Sequence, residues 1–333
     1  MPRVRLTSMV RAVIVTALGI VTLGGCAARR YYPQAYFPAD HNWAFRNRYP
    51  GADRLFNAFD YGHAVLSEVL YTQPKDGPRE LEGPEFNRIV GGILTSPPAV
   101  PLDGEALAPD FTRLAPEVYQ MFEWAHSFHR QVYDVWADEK IPDNQKDAQV
   151  ERLIRYYKSR RDLAFSSAPK SMELMEGQPY SGRFHTACPK FNGLIWSYHW
   201  LQVGLYDALL AGKTPRERRA NVTAAVQRFR AMLVNPPQKM PTVMPMTAAV
   251  APLFATRYPE AAIIFDNLHS MHDVVSDILA SSDVPRGEKR HALLQAAGRY
   301  RDSTSFITTR AEWLEMAKSM GVERMGGMVL PER

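Results

Sequence analysis

Histidine is scarce in this chain, nine residues in 333, yet it recurs in one arrangement. The segment FEWAHSFHRQVYDVWA (122–137) returns as FDNLHSMHDVVSDILA (265–280), with the paired histidines His126/His129 and His269/His272 at the same offsets. Each pair falls on a strongly periodic stretch. His129 continues the apolar stripe Phe122, Ala125, Val132, Trp136, and His272 continues Phe265, Leu268, Val275, Leu279. His63 lies on a third such face with Phe56, Phe59, Leu66 and Leu70, and His199 sits near Trp196 and Val203 on a fourth. Six imidazoles therefore point into apolar surroundings. Residues three apart on a helix diverge by only about 60°, so each pair can share one target.

Imidazole nitrogens in such a setting are ligands for copper, iron or zinc rather than calcium or magnesium. Paired histidines also hold b-type haem without covalent attachment. Glu123 and Asp266 precede the first histidine of each pair by three residues, the Glu-x-x-His spacing of carboxylate-bridged di-iron bundles. Glu123 and His129 stand about 120° apart, however, so His63, His126, His129, His199, His269 and His272 are expected as the ligands. Glu123 and Asp266 are then expected to orient His126 and His269 from behind. The competing expectation is that the rings complete hydrogen bonds within a helical core and hold no metal. Duplication copies a polar network as readily as a metal site.

The elements that carry these histidines repeat as well. PDFTRLAPEVYQMFEWAH (109–126) aligns without gaps on PLFATRYPEAAIIFDNLH (252–269). GPRE (77–80) pairs with TPRE (214–217), ILTSPP (93–98) with MLVNPP (232–237), and FNAFDYGH (56–63) with FNGLIWSYH (191–199). Matches in the same order at slowly drifting offsets predict two copies of one unit, 54–165 and 190–306, joined by a linker over 166–189. Apolar residues recur with helical spacing, no strand alternation is visible, and proline opens the principal helices. The expected fold is all-α, an internally duplicated helical bundle of two pseudo-symmetric units packed together. Further helices are expected at 79–94, 143–158, 216–233 and 286–301, with a last helix and tail in 307–333. Met240, Met244 and Met246 have a copper-collecting spacing but no counterpart in the first copy, so they are expected to pack on the core.

The N-terminus points to export. Arg3, Arg5 and Arg11 precede an apolar stretch too short to span a membrane comfortably, which ends Leu23-Gly24-Gly25-Cys26. That run resembles the lipobox of bacterial lipoproteins. The resemblance implies removal of residues 1–25, lipidation of Cys26 and anchoring through acyl chains, with 26–53 as an aromatic and proline-rich tether. Ala27 after the cysteine implies sorting to the outer membrane, facing the periplasm. The leader carries three of the 40 basic residues and no acid, which leaves 37 against 35 acidic and a net of +2. That balance, without a basic run, argues against nucleic acid as a partner. No Walker or dinucleotide glycine loop is present, so nucleotide binding has no local support. Two function classes remain: a redox or electron-transfer protein with a histidine-ligated centre, and a non-catalytic lipoprotein that serves as scaffold or accessory subunit of an envelope complex.

Overall fold

The computed structural model describes residues 36–72, 77–321 and Met325; Cys26 and the leader lie outside them. Among the described residues every regular element is helical, and the only β pairing is an isolated bridge between Lys170 and Ile307. The chain is all-α, as its periodicity predicts.

Four long helices form the centre: α2 (Pro50–Thr72), α6 (Pro116–Ala137), α10 (Pro189–Ala211) and α14 (Pro259–Ala280). All four begin with proline, where the missing N–H costs nothing and the fixed φ favours the helical start. Each of α2 and α14 packs on α10 or α6, and these helices bury nearly all their apolar side chains. Outside them lie α3 (Gly77–Arg88), α7 (Asp143–Ser159), α11 (Pro215–Met232) and α15 (Lys289–Arg301). The expected helix over 79–94 is α3 followed by one π-helical turn, Ile89–Ile93, across Gly91 and Gly92. Between α3 and α6, and between α11 and α14, the chain is also partly helical. It holds the short helices α4 (Gly104–Leu107), α5 (Pro109–Leu114), α12 (Thr247–Val250) and α13 (Pro252–Arg257). Met240, Met244 and Met246 are buried.

Short helices also lie in the segments expected as tether and linker. α1 (Ala44–Arg48) and the first turn of α2 fall inside the segment expected to be tether, and α8 (Glu173–Glu176) and α9 (Arg183–Ala187) fall inside the expected linker. Buried carboxylates hold the first turns of α1 and α9. Asp134 on α6 accepts from the backbone N–H groups of Trp43 and Phe45 at 2.9 and 2.8 Å, and Asp277 on α14 accepts from Gly182 and Phe184 at 2.7 and 2.8 Å. An acid at a helix start meets unpaired donors and the positive end of the dipole. The residues entering α1 and α9, Trp43 and Gly182, both have left-handed backbones, φ 74° and 73°. Glycine takes that conformation freely; tryptophan does so at a cost that the Asp134 bonds offset.

The C-terminal ends of α6 and α14 are closed by buried lysines. Lys146 Nζ donates to the carbonyls of Val135 and Asp138 at 2.7 and 2.6 Å. Lys289 Nζ donates to Ile278, Leu279 and Ser281 at 2.7, 2.9 and 3.0 Å. Each ammonium thus satisfies carbonyls that a helix end would otherwise leave without a partner. α16 (Arg310–Ser319) closes the fold with Thr309 and Glu312 in a capping box, and Trp313 is buried. No helix among the described residues is long and apolar enough to cross a membrane.

Replacing Lys289 by Met keeps the bulk and removes all three donors. Such a change is expected to lower unfolding free energy by about 2–3 kcal/mol, read as a shift of the urea midpoint at unchanged slope. A midpoint like that of the unsubstituted protein would show that the lysine does not hold the helix end.

Candidate metal centre

The four central helices bring all six sequence-selected histidines into one buried cluster. α2 supplies His63, α6 supplies His126 and His129, α10 supplies His199, and α14 supplies His269 and His272. His129, His199 and His269 are fully buried, His126 and His272 nearly so, and His63 is partly buried.

The cluster is graded rather than symmetric. His63, His199 and His272 each offer a nitrogen within 4.8 Å of the other two. The His63 ring lies 4.2 Å from that of His272 and 5.2 Å from that of His199, and His199 Nε2 meets His272 Nδ1 at 3.1 Å. His126 stands beside this trio, its ring 5.4 Å from His272 and 6.5 Å from His63. His269 stacks on the far side of His199, centroids 4.1 Å apart. His129 is drawn away, with Nδ1 2.6 Å from the Tyr206 hydroxyl and its ring stacked 3.9 Å from Phe265. The expected set of six thus contains three preformed neighbours, two flanking rings and one engaged with tyrosine.

Burial sets the protonation state. It pushes the His63 and His126 rings down to about 3, helped at His63 by the neighbouring His126 and at His126 by Arg130. The other four rings are driven well below the ordinary histidine range by the same loss of solvation. All six are neutral near pH 7, the state in which a ring nitrogen has a lone pair to give. The Phe59 carbonyl, 3.3 Å from His63 Nδ1, calls for a proton there and leaves Nε2 as the donor atom toward a metal.

The hydrogen-bond account of the cluster does not close. The Nε2 atoms of His63, His126, His129 and His272, Nδ1 of His199 and both nitrogens of His269 find no partner in the protein. A buried polar atom without a partner costs about 1–3 kcal/mol. Even at the lower figure, seven such atoms approach the whole net stability of a domain, about 5–15 kcal/mol. Rings that merely completed a core would be expected to show paired nitrogens.

The carboxylates differ from expectation. Asp266 does not reach His269. Its Oδ1 accepts from Thr247 N and Oγ1, both at 2.7 Å, and its Oδ2 accepts from Trp313 Nε1 at 2.8 Å, so it fastens α12 and α16 to α14 instead. Glu123 makes no hydrogen bond to His126. It is half-buried beside the cluster, its carboxyl pushed up to about 8 by loss of solvation and by the nearby Asp60 charge. The carboxylate that faces His126 is Asp60, Oδ1 lying 3.8 Å from Nδ1. Arg130 holds Asp60 in place with a 2.6 Å bond to Oδ2 and is itself pinned by Asp53 and Asn57. Asp60 was legible: it precedes His63 by three residues, the spacing used to select Glu123. Outside the cluster, His41 is buried, and His185 and His291 are exposed.

Because the folded rings resist protonation, the unfolded chain binds more protons than the folded one between about pH 6.5 and pH 3. Stability present above pH 6.5 is therefore lost as the pH falls, by about 1.4 kcal/mol per pH unit for each ring held neutral. The raised carboxyls of Glu123 and Asp134 oppose this trend in total stability, so the rings are best followed directly: NMR of metal-free protein at stepped pH should find them neutral down to about pH 4, and titration near pH 6.5 would mean that they are solvated. No protein-family model, no curated protein and no solved structure matches this chain, and the centre is read from its own geometry.

Proposed function

We propose that the histidine cluster holds a transition-metal ion, copper or iron, and that the protein serves redox chemistry or electron transfer. The observation that carries this reading is the set of seven unpartnered nitrogens on six buried neutral rings, three of which already approach within 4.8 Å. An ion bound at about 2 Å from each of three nitrogens satisfies atoms that the protein leaves open. His63, His199 and His272 are its ligands, with the His126 ring beside them. The ring spacing favours a bare ion over b-type haem, since centroids 4.1–5.3 Å apart leave no slot for a flat macrocycle. Stacked rings running from His129 through Tyr206 to Phe254 suit a centre that exchanges electrons.

The centre lies between two units descended from one helical module. Support comes from the order and length of the elements: α2 and α10 have 23 residues each, α6 and α14 have 22 each. Further support comes from the paired locks of Asp134 and Asp277 and of Lys146 and Lys289. In the same way Glu68 receives the N–H groups opening α5, and Asp207 those opening α13. The leader and Cys26 support an exported lipoprotein, anchored by acyl chains to the outer membrane and facing the periplasm.

Metal analysis of the mature protein purified from its own membrane tests this reading. The account expects about one equivalent of copper or iron, lost on substituting His63→Ala or His272→Ala and kept in His291→Ala. Added metal at a hundredfold excess over Kd should stabilise the metal-free form by about 2.7 kcal/mol. A folded, metal-free protein whose melting temperature ignores added metal would establish the histidines as structural members of a scaffold lipoprotein.

A further inference from the structure

Beside the trio lies a cavity of about 50 Å³, room for roughly three or four water-sized groups. His63, His126 and His272 form one wall, and their Nε2 atoms are among those without a partner. Ala64, Ala108, Phe111, Phe122 and Val275 add apolar wall, and Ser67, Tyr119 and Ser276 add hydroxyl groups. Leu102 lines the cavity and is 37% exposed, so the cavity reaches the surface beneath the proline-rich segment before α4. No lysine or arginine lines it, while Asp60 and Glu123 do. The nearest cation, Arg130, is committed to Asp53, Asn57 and Asp60. An anion entering here would pass carboxyl groups and apolar wall with no protein cation to offset its desolvation before it reached the ion.

We infer that this cavity admits a small neutral molecule of about two to four non-hydrogen atoms, such as a diatomic gas, to an open coordination position on the ion held by His63, His199 and His272. The inference rests on the metal reading and specifies what the centre takes up. Three protein ligands leave a tetrahedral ion one position short, the arrangement of sites that bind an exogenous ligand. The apolar wall favours an uncharged ligand, and the small volume excludes organic substrates of ordinary size.

The full mature chain, loaded anaerobically with iron(II), can be titrated with nitric oxide and separately with azide, a small anion. The expected result is a new visible band and an electron-spin signal with nitric oxide, and binding of azide weaker by about tenfold or more. Filling the cavity by Ala64→Leu or Ala108→Leu should weaken nitric oxide binding about tenfold or more while the iron content is kept. Ala64 is only partly buried, so its variant tests the idea if the Ala108 variant does not fold. Iron held without nitric oxide binding, or binding indifferent to the filled cavity, overturns this inference and leaves the metal centre standing. Failure to hold iron or any other metal overturns the centre itself.

Discussion

The structure is governed by the expense of burying imidazole. A neutral ring in an apolar interior brings two nitrogens, one needing an acceptor and the other a donor, and a helical core has few of either to spare because its backbone groups are already paired. Here six rings converge where four helices cross. The protein supplies partners for some nitrogens: the Phe59 carbonyl for His63, Tyr206 for His129, and the mutual contact of His199 and His272. The others remain open at the junction. Such an arrangement is a poor way to fill a core and a suitable way to hold an ion.

Everything around the junction keeps the rings from relaxing outward. The C-terminal turns of α6 and α14 are fixed by Lys146 and Lys289 and by Asp134 and Asp277, which grip the first turns of α1 and α9. Asp266 adds α12 and α16 to the same scaffold. These groups touch no histidine. They set the rotation and height of the helices that carry them, and a ligand set built on rigid elements keeps its geometry. Arg130 plays a corresponding part on the open side, where it holds Asp60 toward His126.

The helical class and the identity of the cluster were legible in the sequence because helical periodicity fixes which side chains share a face. His129 and His272 continue unbroken apolar stripes, and that alone places them at the centre. What periodicity cannot give is the rotation of one helix against another. It could not show that His272 joins His63 and His199 while its counterpart His129 turns to Tyr206. Nor could it show that Asp266 spends its oxygens on Thr247 and Trp313, which are close only in the folded chain. The short helices α5 and α13, six residues each, are too brief for periodicity to reveal, although each opens on a proline in its first turn. The cavity depends on several elements at once and left no trace in any single segment.

X-ray absorption at the metal edge, on the protein isolated with whatever metal it carries, addresses the ligation itself. The account predicts three or four nitrogen scatterers near 2.0 Å with the outer-shell pattern of imidazole rings, reduced when His199 is replaced. A spectrum dominated by oxygen or sulfur scatterers, or one unchanged by that replacement, would contradict it.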